Sequence, residues 1–323
     1  MNPALGTLFY PFTQNLLEKP QGRALFVNAE PHAALDGLET DCLQYFYPAA
    51  PGLTLADKIA PAYDAALVLV SKDKTAAQYE LALAFEALDK NGLLMAAAAN
   101  DANGNRLESW FADMGLAAQS ASKNKSRVVW AMKGDEAVTP FEWLLRGAVQ
   151  QVEIDGDVYW SQPGLFGWDK ADTGSALLAQ RLPGGLKGSG ADFGCGYGYL
   201  ARKILALHKP ALLTVIDADK RAVDCCVKNN PAAKGVWADL TQPWQGDSFD
   251  WIVMNPPFHL GKMTDSDIGA AFICTAAGAL KKGGHLYMVA NRHLPYEDIV
   301  SKNFSRMETI DQAQGFKIIF AQK

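Results

Sequence analysis

One succession of segments occurs twice in this chain, and it constrains the fold more than any other feature. In the second half, an apolar run over residues 249–254 is followed by a helix-like stretch ending at residues 277–284 and by a strand-like run from His285. The first half repeats this order with an apolar run over 63–70, a helix-like stretch ending at residues 85–92 and a strand-like run from Leu93. Alternating strands and helices are typical of parallel α/β sheets. The sequence therefore predicts two tandem copies of one α/β fold.

The length and the middle of the chain place the boundary between these copies. A chain of 323 residues is long enough for two domains of about 150 residues each. A short helix can begin at Thr139-Pro140, and residues 152–160 alternate around Asp155-Gly156, a strong hairpin signal that should open the second domain. We predict domains at residues 1–138 and 139–323.

The first copy lacks the features that would make it a binding site. Its strands are predicted at Ala24–Asn28, Leu43–Tyr47, Ala65–Val70, Leu93–Ala99 and Arg127–Met132, with a helix over Thr75–Leu88. The first of these strands runs into the sequence AEPH without a glycine loop. At the end of the third, the sequence LVSK (residues 69–72) replaces the NPPF of the second copy. The first domain is therefore predicted to be degenerate, serving as a scaffold or for substrate docking.

Composition and charge argue for a globular protein and against one that grips bare nucleic acid through many phosphates. With 49% hydrophobic and 20% charged residues, the chain has the composition of a globular protein. The net charge is −5, and residues 1–150 hold 12 Lys and Arg against 17 Asp and Glu, while residues 151–323 hold 18 of each. Proteins that grip bare nucleic acid through many phosphates are usually basic. A nucleic-acid substrate would need a local basic rim or presentation by another molecule.

Neither the cysteines nor the apolar runs indicate a metal site, export or a membrane anchor. The five cysteines include no Cys-x-x-Cys pair, and this favours neither a zinc site nor a disulfide framework. The amino-terminal residues lack a basic region followed by an apolar core, and the longest apolar runs are far too short to span a membrane. We expect a cytoplasmic protein with no metal and no membrane partner.

A glycine loop opens the second copy. Residues 192–198 have the sequence DFGCGYG, in which Gly194, Gly196 and Gly198 occupy every second position. Such glycines let the backbone approach a ligand closely, and the helix that follows presents its positive end there. Asp192 directly before the loop suits a cationic amine or sulfonium better than a pyrophosphate. We predict a cofactor cradle.

Two further acids follow strand-like segments. Asp217 ends the apolar run over residues 211–216, at the position where a carboxylate can accept hydrogen bonds from both hydroxyls of a ribose. Asp239 follows another short segment and can accept a hydrogen bond from an adenine amino group. Since ligands of open α/β sheets bind beyond the carboxyl ends of the strands, these acids and the glycine loop should converge on one nucleoside site.

The strand over residues 249–254 ends on Asn255-Pro256-Pro257-Phe258. Two prolines fix the backbone so that the Asn255 side-chain oxygen and the Pro256 carbonyl can hold both hydrogens of a planar amino group. Phe258 can then stack on the ring that carries the amine. We predict that this turn grips the substrate. The next residue, His259, is either a base or structural.

The combination of the glycine loop with this turn resembles the class I S-adenosylmethionine-dependent methyltransferases that modify exocyclic or amide nitrogens. More narrowly, the region from Gln162 to Lys323 resembles the RsmC family of guanine-N2 methyltransferases of ribosomal small-subunit RNA. The motifs that carry this narrower resemblance are residues 163–166, Asp172-x-Gly174-Ser175, residues 255–259, residues 289–296 and residues 315–319. Over the first half only the layout of a degenerate copy matches.

The resemblance implies a fold, a cofactor and a substrate. It implies two tandem Rossmann-like domains, the second with a seven-stranded, mostly parallel sheet whose antiparallel strand would be Phe316–Ala321. It implies S-adenosyl-L-methionine as cofactor and a guanine of 16S rRNA in assembled 30S subunits as substrate. Three alternatives stay open: a large-subunit guanine-N2 methyltransferase, a protein-glutamine methyltransferase, and a non-enzymatic RNA-binding module. The oligomeric state is not indicated.

Overall fold

The computed structural model describes residues 2–47, 54–55, 59, 62–257 and 265–323, and it divides into two compact units, Met1–Ala148 and Val149–Lys323. The first unit contains strands β1 (Arg23–Val27), β2 (Glu39–Leu43), β3 (Thr54–Leu55), β4 (Tyr63–Leu69), β5 (Leu88–Ala99), β6 (Gln119–Lys123) and β7 (Ser126–Met132). Its α-helices are α1 (Pro3–Leu8), α2 (Tyr10–Thr13), α3 (Lys74–Ala87), α4 (Leu107–Asp113) and α5 (Phe141–Gly147).

The second unit begins with a hairpin and continues as a second α/β sheet. Its strands are β8 (Gln150–Ile154), β9 (Asp157–Ser161), β10 (Ser189–Phe193), β11 (Leu212–Asp217), β12 (Lys234–Trp237), β13 (Phe249–Met254), β14 (Leu280–Asn291), β15 (Arg306–Ala313) and β16 (Phe316–Gln322). Its helices are α6 (Thr173–Arg181), α7 (Tyr199–His208), α8 (Lys220–Asn229), α9 (Asp265–Ala279) and α10 (Glu297–Asn303).

The two sheets have the same strand order. The first runs β3-β2-β1-β4-β5-β7-β6 and the second β12-β11-β10-β13-β14-β16-β15. Within the second sheet β16 is antiparallel to both neighbours, which confirms the antiparallel strand predicted at Phe316–Ala321. The predicted tandem α/β architecture, with a seven-stranded, mostly parallel second sheet, is confirmed.

An equivalent hydrogen bond occurs in both sheets, as expected for two copies of one fold. In the first sheet the Asp64 carboxylate accepts from the backbone N–H of Arg23 at 2.8 Å. In the second sheet the Asp250 carboxylate accepts from the backbone N–H of Ser189, also at 2.8 Å. Each bond joins the start of the first strand of a copy to the start of its central partner, at the edge opposite the strands' carboxyl ends.

Apolar side chains cover both faces of each sheet, as parallel sheets require. Along β13, Val253 belongs to one buried cluster and Met254 to another, because successive side chains of a strand point to opposite faces. The same division places Leu67 and Val68 of β4 in the two clusters of the first unit. Within the described ranges, no helix has the length and apolar character needed to cross a bilayer.

The structure places the boundary between the units later than predicted. Residues 139–148 belong to the first unit, because α5 packs there: Trp143 is buried in the first unit's core, with its ring 6.1 Å from that of Trp110. The predicted hairpin does open the second unit, with Asp155 and Gly156 both at positive φ in its turn.

One strand prediction in the first unit is wrong. The aromatic residues of Leu43–Tyr47 favour a strand by propensity, but the strand is β2, Glu39–Leu43. Pairing decides the outcome, because β1 holds its parallel partner in register from Arg23 opposite Glu39 to Val27 opposite Leu43.

Candidate functional site

The predicted residues gather at the carboxyl edge of the second sheet. There β10 lies between β11 and β13, so the glycine loop after β10 is flanked by Asp217 at the end of β11 and by Asn255 after β13. A cleft opens at this edge. Gly194, Gly196 and Asn255 line it, together with Asp172 and Ser175 from the start of α6.

The glycine loop is shaped by its backbone. The N–H of Gly194 donates to the carbonyl of Ile216 at 2.8 Å, which ties the loop to β11. Gly196 has a φ of +52° and no atom within 4 Å of where a Cβ would stand, so it exposes bare backbone. Gly198 has a φ of +96°, and a Cβ there would lie 2.5 Å from Asn230 Nδ2. The loop therefore requires glycine for two reasons, open backbone at Gly196 and close packing at Gly198.

Two buried asparagines at the end of α8 hold this loop from behind. Asn229 Nδ2 donates to the carbonyl of Tyr197 at 2.7 Å, and Asn230 Nδ2 donates to the carbonyl of Gly198 at 3.1 Å. Sequence reasoning did not identify either residue. An Asn-Asn pair after a helix more often indicates a helix end, and only the fold brings it against the loop.

Asp192 lies beneath the loop, at the end of β10. Its side chain is fully buried, and neither carboxylate oxygen has a hydrogen-bond partner among the described residues. Burial, and secondarily the charge of Asp217, raise the pKa of Asp192 to about 7. An unpaired buried carboxylate is costly and favours a bound cation nearby.

Asp217 joins the loop to the ends of the neighbouring strands. Its carboxylate accepts from the N–H of Gly196 at 3.0 Å and from the N–H of Asp219 at 2.9 Å. Burial raises the pKa of Asp217 to about 6, although these hydrogen bonds oppose the rise. Its carbonyl accepts from the N–H of Ala238, which brings the next predicted acid, Asp239, to the same edge.

Asp239 is partly engaged within its own turn. One of its oxygens accepts from the N–H and the hydroxyl of Thr241, at 2.8 and 2.7 Å. This fixes the carboxylate without using its second oxygen in that turn. The predicted contact of Asp239 with an adenine stays a prediction.

The nitrogen and the oxygen of the Asn255 side-chain amide have different surroundings. Its Nδ2 donates to Asp172 Oδ2 at 2.8 Å and to Ser175 Oγ at 2.9 Å. Its Oδ1 is buried and has no partner among the described residues. Because a carboxylate can only accept, the NH₂ group must face Asp172, and the oxygen is the end of the amide that is left unpaired. This buried oxygen can accept a hydrogen bond from an N–H or O–H donor.

The rest of the predicted turn is described in part. Pro256 and Pro257 follow β13 directly as irregular backbone, and Pro256 is buried. Phe258 and His259, to which sequence reasoning gave stacking and a possible proton transfer, lie outside the described residues.

The corresponding edge of the first sheet has different chemistry. Strand register places Phe26, fully buried, where the second sheet has Asp192. Ser71, which corresponds to Pro257, donates its hydroxyl to Glu80 at 2.6 Å, and its carbonyl accepts from Asn103 at 2.9 Å. Internal hydrogen bonds thus occupy polar groups that a ligand would otherwise use.

Two sheets of identical order, with a glycine loop and an Asn-Pro-Pro turn at one carboxyl edge, define a methyltransferase-type α/β protein. The chain belongs to the methyltransferase small domain family, whose model matches residues 158–320. No cluster of three or more potential metal ligands occurs in the part of the chain that the structure describes.

Curated proteins share about a third of the aligned residues with this chain. The chain is 35% identical over 177 residues to ribosomal RNA small subunit methyltransferase C of Escherichia coli (strain SE11), covering 52% of this chain and 50% of that protein. It is 34% identical over 163 residues to the protein of that name from Shewanella amazonensis, covering 50% and 48%. The chain thus spans about half the length of the curated relatives it matches.

A solved structure matches nearly the whole chain. It is the T. thermophilus 16S rRNA N2 G1207 methyltransferase (RsmC) in complex with AdoMet and guanosine. That match has a TM-score of 0.80 and 26% identity, and it covers 99% of this chain and 91% of the other. The similarity therefore includes both α/β units.

Proposed function

We propose that this protein transfers the methyl group of S-adenosyl-L-methionine to the exocyclic N2 of a guanine in 16S rRNA, presented in the assembled 30S subunit. The observation that carries the proposal is the Asn255 amide at the cleft, whose nitrogen is held by Asp172 and Ser175 and whose buried oxygen has no partner among the described residues. An exocyclic amine can donate a hydrogen bond to this oxygen. The similar T. thermophilus protein, which was crystallised with AdoMet and guanosine, supports the same pairing of ligands.

The chemistry of the cleft fits this cofactor. Asp192 and Asn255 each have a buried acceptor that is unpaired among the described residues, and these acceptors suit a ligand that brings positive charge and N–H donors. Asp192 would stabilise the cationic methionine part through its charge, and Asp217 would accept from the ribose hydroxyls beside Gly196. Asp239 would accept from the adenine amine. When bound, S-adenosylmethionine supplies a methyl group on a sulfonium that is already a good leaving group.

The protein's contribution to transfer is mainly positioning. Asn255 Oδ1 holds one hydrogen of the guanine amine, and the Pro256 carbonyl would hold the other, which turns the nitrogen lone pair toward the methyl group. A guanine must leave its stack to reach the cleft, at a cost of about a few kcal/mol, and stacking on Phe258 would offset part of that cost. The amine proton leaves to water after attack, so no strong base is required.

The distribution of charge in the chain favours an assembled ribosomal subunit over free RNA as the substrate. The acidic excess lies in residues 1–150, so the first unit would repel bare phosphates. We propose that this unit, degenerate at its own sheet edge, docks on a surface of the small subunit or supports the catalytic unit. Such an enzyme would work in the cytoplasm.

Methyl transfer from labelled S-adenosylmethionine to several acceptors tests the proposal. The acceptors are purified 30S subunits, protein-free 16S rRNA, 50S subunits and a release factor with an exposed glutamine. We expect label in 30S subunits, well above that in protein-free rRNA. Preferential labelling of 50S subunits would indicate the large-subunit alternative, and labelling of protein would indicate a glutamine methyltransferase. If the folded protein binds RNA but transfers label to none of these acceptors, the result would indicate a non-enzymatic RNA-binding module.

A further inference from the structure

Asp172 performs two tasks with one oxygen. As the N-cap of α6, its Oδ2 accepts from the backbone N–H of Ser175 at 2.8 Å. The same atom accepts from Asn255 Nδ2, also at 2.8 Å, across 83 residues of sequence. The cap explains the first bond, and serine or asparagine would cap a helix equally well. The second bond requires a side chain long enough to reach Asn255.

The bond to Asn255 decides which end of its amide is left without a partner. An amide side chain can rotate by half a turn and exchange its oxygen for its nitrogen. With a carboxylate and the Ser175 hydroxyl on one side, the rotated amide would set its oxygen against the Asp172 oxygens, which is unfavourable. Asp172 thereby selects the orientation in which the buried Oδ1 points away from α6. A buried acceptor without a partner recovers its lost hydration only when a donor binds.

We propose that Asp172 is a positioning residue that acts through Asn255, making the site select ligand atoms that carry hydrogen over atoms that only accept. This rests on the proposed function for the identity of the ligand atom, the guanine amine. Ser175 contributes the second acceptor for Nδ2 and has a smaller share, because its hydroxyl is neutral whereas the carboxylate is charged.

Two substitutions at residue 172 separate positioning from capping. Asp172→Ser keeps a capping oxygen but cannot reach Asn255 Nδ2. Asp172→Asn keeps an oxygen that can accept both bonds, so it is the matched control. We expect Asp172→Ser to lower kcat at least about tenfold with little change in KM, Tm or cofactor Kd, and Asp172→Asn to retain kcat within about threefold. Equal kcat in Asp172→Ser and the wild type would overturn the proposal, as would a loss of kcat that follows the loss of Tm.

A double-mutant cycle tests whether the effect passes through Asn255. In an Asn255→Ala background, Asp172→Ser should cause no further loss of kcat, because the side chain it orients is gone. Independent losses that multiply would overturn the proposal and assign Asp172 a separate role. The side-chain NH₂ signals of Asn255, assigned by their absence in Asn255→Ala, give a readout without turnover. They should exchange with solvent faster in Asp172→Ser than in the wild type, and unchanged exchange contradicts anchoring.

The cycle remains informative if the proposed substrate is wrong. Should the protein methylate a glutamine amide or another rRNA, the same four variants are compared on that acceptor. The proposed function would then fail while the coupling between residues 172 and 255 still decides the role of Asp172. Should the wild type transfer methyl to none of these acceptors, the exchange rates alone decide it.

Discussion

Asp217 Oδ2 accepts a hydrogen bond from the backbone N–H of Gly196 at 3.0 Å, so the end of β11 holds the middle of the glycine loop. The same carboxylate anchors the turn after β11 through the N–H of Asp219. One side chain thus shapes both walls of the region where a nucleoside would lie. Loss of Asp217 should disturb ligand binding more than folding.

Asp217→Ala should weaken S-adenosylmethionine binding at least about tenfold, which corresponds to about 1.4 kcal/mol. The variant loses the acceptor for Gly196 and the proposed acceptor for the ribose hydroxyls. Asp224→Ala is the matched control, because Asp224 is exposed on α8 and pairs with Lys220. Calorimetric titration measures both. Equal affinity of the two variants would contradict a role for Asp217 at the cofactor.

Two alanine substitutions in the glycine loop should fail in different ways. Gly196→Ala meets no atoms, so it should cost about 1 kcal/mol of folding free energy for its positive φ while blocking the cleft to ligand. Gly198→Ala meets Asn230 Nδ2 at 2.5 Å and Cys226 Sγ at 2.8 Å, so it should lower Tm more. Thermal unfolding and calorimetry on both variants check this, and the reverse ranking in Tm would refute the packing argument.

Asp192 should make stability depend on pH. Its pKa is about 7 in the folded protein, through burial and the Asp217 charge, against about 3.9 in an unfolded chain. The folded protein therefore retains a proton that the unfolded chain releases between about pH 4 and pH 7. The stabilising contribution is complete below about pH 4 and is lost as pH rises through 7. Asp192→Asn cannot ionise, so its Tm should exceed the wild-type value at pH 8 by a few degrees.

Asp250 provides a control of opposite sign for this pH dependence. Hydrogen bonds from Lys281 and from the N–H of Ser189 lower the pKa of Asp250. Its contribution is present at neutral pH and is lost on acidification, so Asp250→Asn should be less stable than the wild type near pH 7, with a difference that shrinks in acid. A Tm advantage of Asp192→Asn that persists unchanged down to pH 4 would show that its ionisation is not the cause.

Asn255→Ala should lower kcat at least about tenfold while cofactor affinity stays nearly intact. The variant loses an aligned acceptor for the reacting amine, which should be worth at least about 1.4 kcal/mol in the transition state. Single-turnover kinetics with saturating cofactor, together with calorimetry, separate the two effects. Parallel loss of cofactor binding would mean that Asn255 shapes the cofactor pocket instead of holding the substrate.

The sequence predicted the parts of the site that topology alone brings together. Asp217 and Asn255 end strands on either side of β10, and parallel strands place their carboxyl ends at one edge. Side-chain contacts between distant segments could not be predicted from the sequence. The bond from Asn255 to Asp172 depends on how the start of α6 lies against the turn after β13, and sequence reasoning considered Asp172 only as a helix cap and a family motif.

The same limit explains the one misplaced strand and the missed asparagines. Propensity favoured the aromatic residues after Leu43, whereas pairing with β1 selected Glu39–Leu43. Asn229 and Asn230 support the glycine loop only because α8 ends behind it. Local patterns predict which segments form elements, and tertiary packing decides which of their polar groups meet.

The chemical identity of the methylated nucleoside tests the central claim most directly. The purified protein is incubated with S-adenosylmethionine that carries an isotope-labelled methyl group and with 30S subunits from cells that lack this protein. The nucleosides of the 16S rRNA are then separated and identified by mass spectrometry. We predict one labelled species, N2-methylguanosine, whose amount falls at least about tenfold when Asn255→Ala replaces the wild type for the same short incubation. Label on a ring nitrogen, on a ribose, on another base or on ribosomal protein would contradict the account.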